Sequence, residues 1–132
     1  MKLLICGDRR WNDYGAIHGA LSIQAVESAD ELVVVTGACR GADLLAEKAA
    51  REVGLRYRGY PACWRDLGKK AGPTRNQEML DMERPALVWA FHGRLGRSRG
   101  TRDMLRRAVA AEVPCFLFDG AQWTEINERI VA

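Results

Sequence analysis

Three short segments set glycine beside arginine: CGDRRW (Cys6–Trp11), TGACRGAD (Thr36–Asp43) and FHGRLGRSRGT (Phe91–Thr101). Glycine lets a phosphate approach the backbone, the unpaired N–H groups of a helix start donate to it, and arginine adds a planar bidentate fork. The residues that would do this are Gly7, Arg9, Gly37, Arg40, Gly41, Gly93, Arg97, Arg99, Gly100 and Thr101. The same glycines also suit a short turn that binds nothing. A fourth segment, PACWRDLGKKAGPTRNQEML, collects Trp64, Lys70, Gly72, Arg75 and Asn76 in a connection long for its type. In it, Trp64 could stack a base, and Arg75 with Asn76 could contact phosphate or ribose. An indole capping the end of a sheet is the competing reading for Trp64 and for Trp11.

Acid and thiol chemistry have fewer candidates. Asp43 and Asp103 are the weak catalytic ones; Asp43 is also what a helix start favours through the macrodipole. Cys6, Cys39, Cys63 and Cys115 show neither metal-ligand spacing nor the density of a disulfide-stapled domain, so reduced thiols are expected, with no metal and no cofactor. Cys39 precedes a helix start and His92 leaves a strand end, an arrangement a thiol enzyme would need. Two familiar nucleotide motifs are missing. The chain has no GxxxxGK[ST] and no GxGxxG, and Thr36 stands where a ribose-binding acid is expected, so P-loop and conventional NAD chemistry are excluded.

The elements that would position these loops alternate along the chain. Apolar runs end near Cys6, Thr36, Tyr60, Phe91 and Phe118; between them Tyr14–Val26, Ala42–Val53, Pro73–Met82 and Thr101–Ala111 carry apolar residues at helical spacing. Alternation of this kind predicts a three-layer α/β, Rossmann-like open sheet of about five mainly parallel strands with helices on both faces. Its ligand would lie beyond the carboxyl ends of the strands, where the glycine-rich segments are. A short last helix is expected from about Gln122, packing Trp123, Ile126 and Ile130 back on the body.

At 132 residues and 48% hydrophobic content, one domain spanning 1–132 is expected. No run approaches the roughly 18 apolar residues that span a bilayer, and the N-terminus turns charged too soon for a secretory segment, so a cytoplasmic protein without a membrane partner is expected. Net charge is only +3. Six arginines nevertheless crowd between Arg94 and Arg107, drawing anions of any kind. Arg106 and Arg107 read as a solvated helix face.

With TGACRGAD, PACW, AGPTRNQEM and FHG…RGTRDM in this order, the chain resembles the SLOG superfamily, in particular its YspA-like branch of small Rossmann-like proteins. The resemblance runs from about Met1 to Phe118. It implies binding of a nucleotide or nucleotide derivative, with ligand loops falling on Gly7, Arg9, Gly37, Gly41, Asp43, Arg75, Asn76, Gly93, Gly100 and Thr101, and it favours a homodimer. It also places small residues at the position of Cys39, which favours packing there over thiol chemistry. The superfamily's Lonely Guy phosphoribohydrolases carry PGGxGTxxE; here the acid of that motif falls on Met104, and Asp103 is turned about 100° away on the helix. The DNA-processing protein DprA is another relative and binds single strands. A binding or sensing module is thus the first expectation, a nucleotide N-glycosidase the second, and single-stranded nucleic-acid binding through the arginines and Trp11 or Trp64 the third.

Overall fold

The computed structural model describes residues 1–28 and 31–132. Six strands form one sheet: β1 (Lys2–Gly7), β2 (Val33–Thr36), β3 (Arg56–Gly59), β4 (Leu87–Phe91), β5 (Cys115–Phe118) and β6 (Trp123–Glu125). Their order is β3-β2-β1-β4-β5-β6, with every pair parallel except β5–β6. The helices are α1 (Tyr14–Glu27), α2 (Ala42–Val53), α3 (Trp64–Leu67), α4 (Ala71–Glu83), α5 (Gly100–Ala110) and α6 (Glu128–Val131), with 3₁₀ turns at Gly68–Lys70 and Leu95–Arg97. Among these helices none is long and apolar enough to cross a membrane.

The period of two along each strand divides the core in two. On β1, Leu3 and Ile5 face one side, where Ile17 and Leu21 of α1 and Ala42, Ala46, Ala49 and Ala50 of α2 cover them. Leu4 and Cys6 face the other side, against Met79 and Leu80 of α4 and Met104, Leu105 and Ala108 of α5. The alanine stripe brings α2 down close to the sheet. This is the three-layer, Rossmann-like arrangement the alternation predicts.

Two expectations are corrected. The tail forms a sixth strand, β6, where a helix from Gln122 is expected. The reason is cross-strand pairing: Phe118 stands opposite Trp123, whose ring packs on Trp89, Phe91 and Phe118 at centroid distances of 5.3–5.5 Å. Aromatic pairs of this kind outweigh the weak helical spacing of a three-residue segment. The final helix is one turn, starting at Glu128 behind Asn127, whose side chain accepts from Arg129 N and Ile130 N. Ile126 and Val131 are buried, and Ile130 is exposed. The helix expected from Pro73 starts earlier, at Ala71, so Pro73 sits inside its first turn where a missing N–H costs nothing.

Strand order reverses between β1 and β4: the chain leaves β1 toward β2 and β4 toward β5. Gly7 pairs with Phe91 at this point, and Asp8 N donates to Phe91 O at 2.8 Å. A crevice therefore opens above these two strand ends.

At the far end of α4 a buried carboxylate ties helix to sheet. Glu83 receives Lys2 Nζ at 3.0 Å, Arg58 Nη1 at 2.9 Å and the Tyr60 hydroxyl. Burial would raise its pKa, but the Tyr60, Lys2 and Arg58 hydrogen bonds outweigh that and hold it below the usual carboxylate value. A depressed folded pKa stabilises above the unfolded value and is lost as pH falls through the carboxylate range. Glu83→Gln is therefore expected to lower stability by about 1–2 kcal/mol near neutrality, with the difference from wild type shrinking below about pH 4. Denaturant melts at pH 7 and pH 3.5 measure this, and an equal penalty at both would contradict it.

Candidate functional site

The crevice widens into a cleft of about 550 Å³ walled by the β1–α1 loop, the β2–α2 loop, the start of α4 and the start of α5. Of the residues singled out in the sequence, Gly7, Arg9, Gly37, Asp43, Trp64, Arg75, Asn76, Arg99, Gly100, Thr101 and Asp103 line it. Trp11, Arg40, Gly41, Gly93 and Arg97 do not. Trp11 packs its ring on Phe91 and Phe118 and donates Nε1–H to Asp13 O, capping the sheet end. Arg40, Gly93 and Arg97 are exposed outside the wall.

Gly41 serves the fold. Its φ of +78° disfavours any side chain, and a Cβ there would strike the Asp8 carbonyl, which accepts the first N–H of α2 from Ala42 at 3.1 Å. Asp43 Oδ2 takes the Cys39 N–H at 3.3 Å. The α2 start is thus supplied in part by the protein, through the Asp8 carbonyl at Ala42 N. Asp13 does the same for α1, accepting from Ala16 N.

The start of α5 differs. Ser98 Oγ accepts the Thr101 N–H at 3.0 Å, while the Gly100 N–H donates to no protein atom among the described residues. Nothing lies within 4 Å of where a Gly100 Cβ would be. Arg99 flanks this turn on the cleft wall.

Arg75 joins three segments. Its Nη1 donates to Gly37 O at 2.6 Å and to Tyr60 O at 3.1 Å, and its Nε to Asn76 Oδ1 at 3.0 Å. The contact is so close that a Cβ on Gly37 would sit 2.7 Å from the guanidinium carbon. Among the described residues its Nη2 meets only the Cys39 sulfur, at 3.7 Å. Asn76 extends the chain of bonds, donating Nδ2–H to Asp103 Oδ2 at 2.9 Å. Asp103 also holds Arg107 at 2.9 Å, and Arg107 donates to Gln77 at 3.0 Å. The solvated-face reading is corrected for Arg107 by these contacts; Arg106 is exposed as expected, and its Nε also donates to Val131 O at 2.6 Å. Met104 is buried beneath the cleft floor, so the position of the Lonely Guy acid carries a packing residue.

His92 and Cys39, considered for thiol chemistry, also line the cleft, while other wall residues, among them Asp8, Arg10 and Lys69, are not marked individually by the sequence. Asp8 and Arg10 lie inside a segment already marked, but periodicity says nothing of which side chains in a loop turn inward. Trp64, about half exposed, holds the Arg9 guanidinium 5.6 Å from its ring centre, so a cation–π contact joins two walls of the cleft.

A family model described as "YspA, cpYpsA-related SLOG family" matches residues 1–66. A relative from Mycobacterium phage D29, named Gene 61 protein, is 39% identical over 124 residues, covering 89% of this chain and 95% of its own. The chain belongs to the YspA, cpYpsA-related SLOG family. Among solved structures, UDP-GlcNAc 2-epimerase from Neisseria meningitidis bound to UDP-GlcNAc superimposes with a TM-score of 0.54 at 11% identity. That match covers 92% of this chain and 33% of the epimerase, so the SLOG chain spans about a third of that protein and shares its Rossmann-like fold.

Inside this SLOG cleft the most perturbed carboxyl is Asp43. Burial pushes its pKa up to about 7, against the pull of the Cys39 N–H, the Arg75 charge and the Gly37 N–H, with Glu47 adding to the rise. A raised folded pKa means that the folded state holds the proton more tightly than the unfolded chain. Stability is then lost as pH rises from about 4 to 7, by roughly 4 kcal/mol at most. Asp43→Asn keeps an acceptor for Cys39 and removes the ionisation. It is expected to raise the melting temperature by several degrees at pH 8 and scarcely at pH 4; a gain independent of pH would show that Asp43 is not the titrating group.

Proposed function

We propose that the cleft binds a nucleotide or nucleotide-derived ligand, with its phosphate at the first turn of α5. One observation carries this reading: the Gly100 N–H at the start of α5 has no protein acceptor among the described residues, and it lies on the cleft wall beside Arg99 with open space around it. An anion completes such a turn. The charge of the wall agrees, since Arg9, Arg10, Lys69, Arg75 and Arg99 face only Asp8, Asp43 and Asp103. Of these acids, Asp103 is neutralised by Arg107 and Asp43 is half protonated near neutrality. Membership of the SLOG family and the Rossmann-like fold are compatible with a nucleotide-related ligand.

The small-molecule reading is favoured over a nucleic-acid strand because the arginine cluster is partly used up. Arg102 donates to Ala132 O, Arg106 to Val131 O and Arg107 to Asp103 and Gln77, so half of the six bond within the chain. Saturable binding without turnover is the expected behaviour. Hydrolysis of an N-glycosidic bond is the second reading, supported by Asp43, which can give or take a proton near pH 7 inside the cleft. We include the homodimer in the proposal: Ile23 and Val26 of α1 stand exposed, as a partner helix would require.

Melting the protein with nucleoside mono- and diphosphates, ADP-ribose, cyclic nucleotides and a short oligonucleotide tests the reading. Ligand at 100 times its dissociation constant should add about 2.7 kcal/mol, a shift of several degrees. Arg99→Ala should weaken a responding nucleotide about tenfold or more. A response confined to the oligonucleotide, or none at all, would overturn the proposal, and release of free base from any nucleotide would select the hydrolytic reading.

A further inference from the structure

One wall of the cleft is neither anion-binding nor explained by packing. It lies where β1 and β4 end side by side. Gly7 pairs with Phe91, so the next residues, Asp8 and His92, leave the sheet together, pinned by Asp8 N donating to Phe91 O and His92 N donating to Phe118 O at 3.1 Å. Both side chains line the cleft.

The hydrogen bonds already made leave each with one free function. His92 is 91% buried, and its Nδ1 accepts the Arg94 N–H at 2.9 Å. An acceptor at Nδ1 leaves the neutral ring with its proton on Nε2, and burial favours the neutral ring. Nε2–H has no protein acceptor among the described residues, where no buried side-chain nitrogen or oxygen lacks a partner. That N–H must therefore open into the cleft. Asp8 Oδ1 accepts the Arg10 N–H at 2.9 Å, and Oδ2 accepts from nothing in the described chain. A fixed donor and a free carboxylate oxygen thus stand on adjacent strand ends.

A phosphate oxygen would suit the donor and be repelled by the carboxylate. A hydroxyl satisfies both, because it donates and accepts at once. We propose that Asp8 and His92 together receive a sugar hydroxyl of the ligand, Asp8 accepting its hydrogen and His92 donating to its oxygen. The inference rests on the nucleotide reading above and deepens it: the ligand carries a hydroxylated sugar, with phosphate at α5 and sugar at the β1–β4 ends. In this arrangement the pair selects against ligands lacking that hydroxyl, since buried His92 and half-buried Asp8 would be left unpaired in the occupied cleft.

Calorimetric titration of the full chain with ribose 5-phosphate, 2-deoxyribose 5-phosphate, AMP, 2′-deoxy-AMP and 3′-deoxy-AMP tests this. The wild type should bind a hydroxylated compound about ten- to a hundredfold more tightly than its matching deoxy form. Asp8→Asn keeps an acceptor for Arg10 N–H but replaces the free oxygen with a donor. His92→Asn keeps an acceptor for Arg94 N–H but falls short of Nε2. Each should erase the preference without weakening inorganic pyrophosphate, and because the variants lie on different strands either one suffices if the other fails to fold. Tight binding with no preference in the wild type, or a preference that survives both substitutions, overturns the pairing and leaves the nucleotide reading intact. Failure of the wild type to bind any of the five overturns the pairing, and the nucleotide reading falls with it only if the wider nucleotide panel gives no response either.

Discussion

A guanidinium buried between three chain segments is the interaction on which the cleft depends. Arg75 reaches from the first turns of α4 to the carbonyls of Gly37 and Tyr60, which end the β2 and β3 excursions, and hands its Nε–H to Asn76. A buried cation requires such acceptors. The requirement propagates outward: Gly37 can carry no side chain, Asn76 is oriented to bond Asp103, and Asp103 in turn fixes Arg107. The start of α4 is thereby fastened to the start of α5. The residues that shape the cleft are in this sense one network, with the buried Arg75 at its centre.

Much of the fold was legible because it rests on period and punctuation. Val34, Val35, Val88 and Ala90 are buried on both faces of a parallel sheet and show as unbroken apolar runs, and the alanines of α2 recur at helical spacing. Trp123 was misread because three residues carry no period, and what decides their state is a partner strand remote from any local signal. The same limit applies to the site. Arg75 and Asn76 were marked from composition, and the cleft does gather them, but whether an arginine faces a ligand or a backbone carbonyl depends on the neighbours it finds. Arg107 is the counterexample: in a cationic run it looks solvated, while α4 supplies it with an acceptor.

Glycine-rich helix starts illustrate why motif counting overstates a binding site. Three such loops converge on one edge of the sheet, yet each is partly completed from within, by Asp13 at α1, by the Asp8 carbonyl at α2 and by Ser98 at α5. Part of the physical need that a phosphate would meet is already met by the protein. Sequence shows the glycine that permits an anion; only the folded chain shows whether an acidic side chain or a carbonyl has taken its place.

The four tryptophans divide unequally between the two ends of this arrangement. Trp11, Trp89 and Trp123 belong to one aromatic cluster with Phe91 and Phe118, whereas Trp64 stands apart on the cleft wall under the Arg9 guanidinium. The protein therefore carries its own optical gauge. Emission from the cluster follows the integrity of the sheet, and emission from the solitary indole follows what happens beside Arg9, so that unfolding and occupancy write on separate chromophores of one chain.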